Sequence, residues 1–224
     1  PPTRTGAFVQ ATFRGNLAYV GLAVIFFAFT SKGGSAAASS AQTAAILAFA
    51  PIVPIYNITA VVVLLAGREK VSLRTVLDML FQIVTNPLLL ACVAGAGFSL
   101  LGFKLPLAAA HTLQVVGQFA LPVALLCIGG VLVSTNIKGR MIHSILAAII
   151  KVGVGPAVGF LVGHLLGADP RETAIALILL ACPTAVASYV LADQLGADGT
   201  LAAGAVVAST ILSIISLSVV VAMI

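Results

Sequence analysis

In the stretch Leu179–Ser213, LLACPTAVASYVLADQLGADGTLAAGAVVASTILS, a proline and a cluster of small polar residues interrupt an apolar run of membrane length. Pro183 has no backbone N–H and its ring clashes with the carbonyl four residues earlier, so a helix arriving through Ile175, Leu177 and Leu180 must kink or stop near Cys182. In hydrocarbon each unsatisfied peptide group costs several kcal/mol, so unwound backbone persists only inside protein or beside a wet cavity. Thr184, Ser188 and Tyr189 place polar side chains at that point. Two readings follow: a proline kink in a packed helix, or a discontinuous transporter helix whose ends face a substrate.

Composition sets the class. Of 224 residues, 61% are hydrophobic and 8% charged, with a mean hydropathy of +1.20, against roughly 25% charged in a soluble domain. The pattern is that of an all-α polytopic membrane protein. Its net charge of +5 comes from basic residues scattered between apolar runs without interleaved aromatics, which excludes a nucleic-acid partner and fits loop charge that sets topology. Cys92, Cys127 and Cys182 each lie in an apolar segment without CxxC spacing, so they read as buried thiols. No His/Cys/Asp/Glu set has metal-ligand spacing, and no cofactor is expected. The opening PPTRTG carries neither an initiator Met nor a signal peptide and reads as the start of a truncated chain.

Seven apolar segments are expected, near residues 6–30, 43–66, 76–101, 106–133, 141–166, 173–195 and 200–224. The third begins with Asp78 and Gln82 in an interfacial stretch and enters the membrane near Asn86-Pro87. Short gaps imply antiparallel neighbours. Arg4, Arg14, Arg68, Lys70, Arg74, Lys138 and Arg140 fall on the side of the N-terminus, whereas Lys32, Lys104 and Arg171 fall on the other, seven against three. The chain is therefore expected to begin in the cytoplasm and end outside. That order excludes a seven-helix receptor, which starts outside.

Segments one and two carry a polar break, a Gly-rich joint and a small-residue helix (Asn16, Tyr19, Gly33, Gly34, then AAILAFAPIVPIYN), and segments six and seven repeat the pattern (Pro183, Tyr189, Gly196, Gly199, then LAAGAVVASTILS). Two interrupted helices in corresponding positions point to an inverted repeat. Three helices would be missing ahead of the first.

An ordered series of motifs, Gly15-Asn16 to Gly21, PIYN at 54–57, TNPLLLA at 85–91, LPVALLCIGGVL at 121–132, Lys151 with Pro156, and CPTAVASYVLA with the closing STILS, resembles the auxin efflux carrier family. That family lies within the bile acid/arsenite/riboflavin transporter group. The resemblance implies ten helices in two inverted five-helix repeats, with the fourth and ninth broken and crossing at mid-membrane. This chain would supply helices four to ten: the end of the first repeat in 1–67, a cytoplasmic linker in 68–75 and the second repeat in 76–224. Where the family often has proline seven residues after the first crossover Asn, this chain has Ala23. The resemblance further implies secondary transport of organic anions, auxin-type carboxylates or malate- and malonate-like dicarboxylates, across the plasma membrane or bacterial inner membrane, with H+ or Na+ as coupling ion and a homodimer as the assembly.

Helix N-termini at a break carry about half a positive charge and free N–H donors, which suit a carboxylate. Asn16, Pro183, Thr184, Ser188 and Tyr189 form the expected substrate site, although a single Ser or Asn in a membrane helix also serves as interhelical glue. Lys151 sits near the bilayer middle, where a lysine costs ~2.5–3.5 kcal/mol on insertion scales. It is either a structural ammonium bonded to broken-helix carbonyls or a counter-charge for cargo or coupling. Asp193 is either a helix-end carboxylate or a coupling acid. His111, His143 and His164 stand near segment ends. An intramembrane enzyme lacks support, since neither GxSxG nor HExxH occurs; an anion channel and a sodium-coupled symporter are the nearer alternatives.

Overall fold

A computed structural model describes residues 2–66, 105–134 and 140–224, together with scattered positions between 77 and 103. The basic linker with Arg68, Glu69, Lys70 and Arg74, the segment start with Asp78, Gln82, Asn86 and Pro87, Lys104, Lys138 and Cys92 lie outside the described residues, as does the side chain of Cys127.

The described residues form helices α1 (Pro2–Phe13), α2 (Leu22–Phe49), α3 (Ile52–Ala66), α4 (Leu107–Ser134), α5 (Met141–Ile149), α6 (Gly155–Leu165), α7 (Pro170–Ala181), α8 (Ala187–Gln194) and α9 (Gly199–Met223). Two π-helical turns, Leu17–Gly21 and Ile150–Val154, lead into α2 and join α5 to α6. The runs Met141–Leu165 and Gly199–Met223 are long and apolar enough to cross a membrane, and so by length and composition is Leu17–Phe49, which turns at Gly34. Large apolar side chains such as Phe27, Leu47, Leu126 and Ile142 remain uncovered by protein, as lipid-facing positions require.

The expected sixth segment is two helices. Asp169 caps α7 by accepting from the backbone N–H groups of Arg171 at 2.8 Å and Glu172 at 3.3 Å, with Pro170 in the first turn where its missing N–H costs nothing. The helix ends at Ala181 because Cys182, which precedes Pro183, is extended (φ −60°, ψ 142°). The chain resumes helical form at Ala187. Asp198 then caps α9 by accepting from Leu201 N at 3.0 Å.

The expected loop over residues 31–42 is instead helical on both sides of one residue. Gly34 sits at φ 76°, ψ −176° within α2, a conformation open to glycine alone. Gln42 Nε2 donates to Leu22 O at 3.0 Å, so α2 doubles back at Gly34 and its two arms pack as a hairpin. Ala38, Ala41 and Ala45, at helical spacing and fully buried, let the arms approach closely. The run SKGGSAAASSAQ reads as a loop by its serines, but alanine favours helix and the hydroxyls bond back to their own helix, Ser31 Oγ to Ala28 O and Thr43 Oγ1 to Ser39 O. The second segment thus begins near residue 35.

One apolar core joins α2, α7 and the end of α9 around Ile25, Phe29, Ile178 and Val220. A second joins α1, α3, α8 and the start of α9 around Ala7, Leu64, Ala192 and Leu201. Gly6 on α1 faces the α3 backbone, where a Cβ would lie 2.8 Å from Val63 O. Between these cores the two interrupted helices meet.

Candidate functional site at the crossing of two broken helices

Each interruption frees backbone groups, and the two interruptions satisfy one another. Asn16 N donates to Pro183 O at 2.8 Å and Ala185 N to Arg14 O at 2.9 Å, forming an antiparallel bridge between Gly15 and Thr184. This two-residue piece of sheet lets extended backbone persist amid apolar helices. Thr184 secures it twice. Its N–H donates to Ser209 Oγ at 2.9 Å and its hydroxyl to Ala11 O at 2.8 Å, while Ser209 Oγ donates onward to Val206 O at 3.0 Å.

Two glycines permit the approach. A Cβ on Gly15 would lie 2.9 Å from Leu17 Cδ2 and 3.3 Å from Lys151 Cε, and one on Gly21 would lie 2.9 Å from Leu179 Cδ2 and 3.2 Å from Cys182 Sγ. Asn16 O accepts from both Val20 N and Gly21 N at 3.2 Å, the widened geometry of a π turn.

Two cations are enclosed here. Lys151, 4% exposed, stands in the π turn Ile150–Val154 and donates through Nζ to Leu180 O at 2.7 Å. That carbonyl belongs to the last turn of α7, where the helix dipole is negative. Ser216 Oγ donates to Val152 O in the same π turn. Arg14, 6% exposed, donates through Nη2 to Asn57 Oδ1 and through Nη1 to Ala187 O at 3.4 Å. Among the described residues the ion pairs are those of Arg4 and Arg140 with Asp198, so neither buried cation meets a carboxylate there. An enclosed charge without an opposite partner is costly and marks function more often than structure. Gln10, one turn before Arg14, is fully buried with neither side-chain polar atom bonded, and the buried Ser188 Oγ, beside Ala187, is likewise unpartnered.

The structure therefore gathers Asn16, Pro183, Thr184, Ser188 and Lys151 at the crossing. It carries Tyr189 and Asp193 elsewhere. Both line a pocket of about 490 Å³ with Arg4, Arg140 and Asp198, at the end of the molecule where Arg4 (3.4 Å) and Arg140 (2.9 Å) pair with Asp198. Asp193 is exposed there.

Sequence reasoning missed Arg14, Asn57 and Gln10. The charge count assigned Arg14 to the cytoplasmic end, whereas the structure buries it at the crossing, leaving six basic residues against three. Its neighbour Gly15-Asn16 was the available signal, since an arginine abutting a helix break is inside the span and not in a loop. Asn57 was visible in PIYN, but only the fold turns it toward Arg14.

Helices broken in pairs, crossing through their own backbones inside an apolar assembly, define a membrane transporter with discontinuous helices. The sequence profile of the membrane transport protein family matches residues 16–221, and the chain belongs to that family, in agreement with its resemblance to auxin efflux carriers. No curated protein and no solved structure matches the chain.

Proposed function

We propose that this transporter carries small organic anions, dicarboxylates or auxin-like carboxylates, by alternating access, with the crossing of residues 14–16 and 182–186 as its binding site. The observation that carries the reading is the pair of enclosed cations, Arg14 and Lys151, which no carboxylate neutralises among the described residues. An anionic cargo would complete that charge balance, and the start of α8 with Ser188 would offer it N–H and O–H donors. Asn16 contributes its amide, which caps nothing in its own helix. Thr184 acts by holding the bridge, because its hydroxyl proton is already given to Ala11 O.

The coupling ion of this reading is H+. Carbonyls at the C-terminal end of a half-helix commonly hold Na+, but Leu180 O at the end of α7 is bonded to Lys151. The chain contributes the end of one inverted repeat in 1–67 and the second repeat in 76–224, in the plasma or bacterial inner membrane with residues 68–75 cytoplasmic. That orientation rests on the unequal count of basic residues along the sequence. Arg4 and Arg140 cluster at one end, while Lys32 and Arg171 line a common cavity at the other.

The test is counterflow of labelled malonate in proteoliposomes loaded with unlabelled malonate, using protein from the complete reading frame. A carrier accelerates uptake under trans substrate; uptake indifferent to it would leave a channel. Replacing Na+ by choline should change nothing, whereas collapse of uptake would return the sodium-coupled alternative. Single cysteines at Arg4 and Lys32 in a Cys-free background should react with impermeant thiol reagents from opposite faces, Arg4 from the cytoplasm.

A further inference from the structure

A second site lies far from the crossing. A cavity of about 710 Å³ opens between α2, α6 and α7, and the basic groups in its wall are Lys32 at the turn of α2, His164 near the end of α6, and Arg171 in the first turn of α7. Among the described residues no acidic side chain lines it. Asp169 and Glu172 share a turn with Arg171 but stand outside the wall, and Asp169 is occupied with the backbone N–H groups of its own helix. Among the described residues Lys32, His164 and Arg171 form no ion pair. Phe29, Phe160 and Leu177 supply an apolar floor, and the Arg171 guanidinium lies 6.0 Å from the Phe29 ring centroid, held over an apolar surface with its donors free to turn.

A cationic rim above an apolar floor, at the level where helices leave the membrane, matches an amphiphile with an anionic head. A small hydrophilic anion would leave the aromatic floor uncovered. We propose that this cavity binds an anionic phospholipid of the leaflet at that end, its phosphate between Lys32 and Arg171 and an acyl chain along Phe29, Phe160 and Leu177. The ligand seats α2 against α6 and α7, the helices that frame the crossing. This assignment does not depend on the identity of the transported anion.

The experiment is native mass spectrometry of the full protein released from nanodiscs containing equal parts phosphatidylglycerol and phosphatidylcholine. Wild type should retain phosphatidylglycerol selectively. Lys32→Gln and Arg171→Gln should each lower that retention about fivefold, and the pair about twenty-five-fold. Arg171→Lys keeps the charge and should retain most of the lipid; Arg4→Gln, at the opposite end, should match wild type. Lys32 and Arg171 are exposed and Arg4 is half-buried, and circular dichroism checks the folding of every variant. Equal retention of the two lipids, or wild-type retention by the folded double variant, would overturn the proposal. So would displacement of the lipid by malonate, which would make the cavity an antechamber for cargo, or binding of glycerol phosphate without retained lipid, which would make it a free-anion site.

Discussion

The two interruptions do the same work by different means. At 182–186 the break is written into the chain, because Pro183 removes a donor and forces Cys182 out of the helix. At 14–16 no proline is present, and the break rests on Gly15, on the π turn that follows and on the opposing strand. Their charges differ too. The first break carries its own cation, Arg14, anchored on Asn57; the second borrows Lys151 from another helix. A discontinuous helix thus needs its geometry coded on one side only, since the partner can be shaped by what it pairs with.

Removing the charges should have the largest effect. Lys151→Gln keeps a donor for Leu180 O but loses the charge, and Arg14→Gln does the same toward Asn57. Losing a hydrogen bond to a charged group costs ~1.5–3 kcal/mol, so transport should fall roughly ten- to more than a hundredfold at normal expression. Counterflow measures it. Normal uptake by both variants would reduce these cations to structural ties.

Restoring the coded break comes next. Pro183→Ala returns an N–H and relieves the ~3 kcal/mol clash of an interior proline, so the helix can close across 182–186 and dissolve the bridge to Gly15. Stable protein without uptake is expected. The uncoded break responds otherwise: Gly15→Ala introduces a methyl 3.3 Å from Lys151 Cε and 2.9 Å from Leu17 Cδ2, an overpacking cost of ~1–3 kcal/mol. It should lower the melting temperature as well as uptake. Equal behaviour of the two variants would erase the distinction between the breaks.

Smaller effects separate holding the bridge from binding cargo. Thr184→Val removes a buried hydrogen bond to Ala11 O worth about 1 kcal/mol, and should lower stability with little change in KM. Asn16→Ala leaves the backbone pairing intact and should raise KM roughly threefold or more while stability holds. The least change is expected from Asp193→Asn, at an exposed position by the Arg4 end, within about 0.5 kcal/mol of wild type in stability and near wild type in uptake. A collapse of coupled uptake in Asp193→Asn would restore it as a coupling acid.

Legibility followed the range of the forces. The all-α membrane class and the interruption at Pro183 were visible because their causes act within a few residues: hydropathy and a missing N–H. The hairpin at Gly34 was half visible. Gly33-Gly34 marked the joint, but the surrounding serines suggested a loop where alanine and back-bonded hydroxyls sustain helix. Arg14 was misassigned because a charge count sees distance from a segment end and not the helix break that draws the residue inward.

What the sequence by itself determined is therefore that this is a polytopic membrane transporter of its family, with one helix that must kink or stop near Cys182 and one lysine within an apolar segment. Only the tertiary structure decided that the breaks hydrogen-bond to each other, that Lys151 ties to Leu180 and Arg14 to Asn57, and that Tyr189 and Asp193 turn to the far end with Arg4 and Arg140. The reason is physical. A backbone break creates a demand for partners that local rules can detect, but its supply comes from segments distant in the chain, brought near only by packing of the whole bundle.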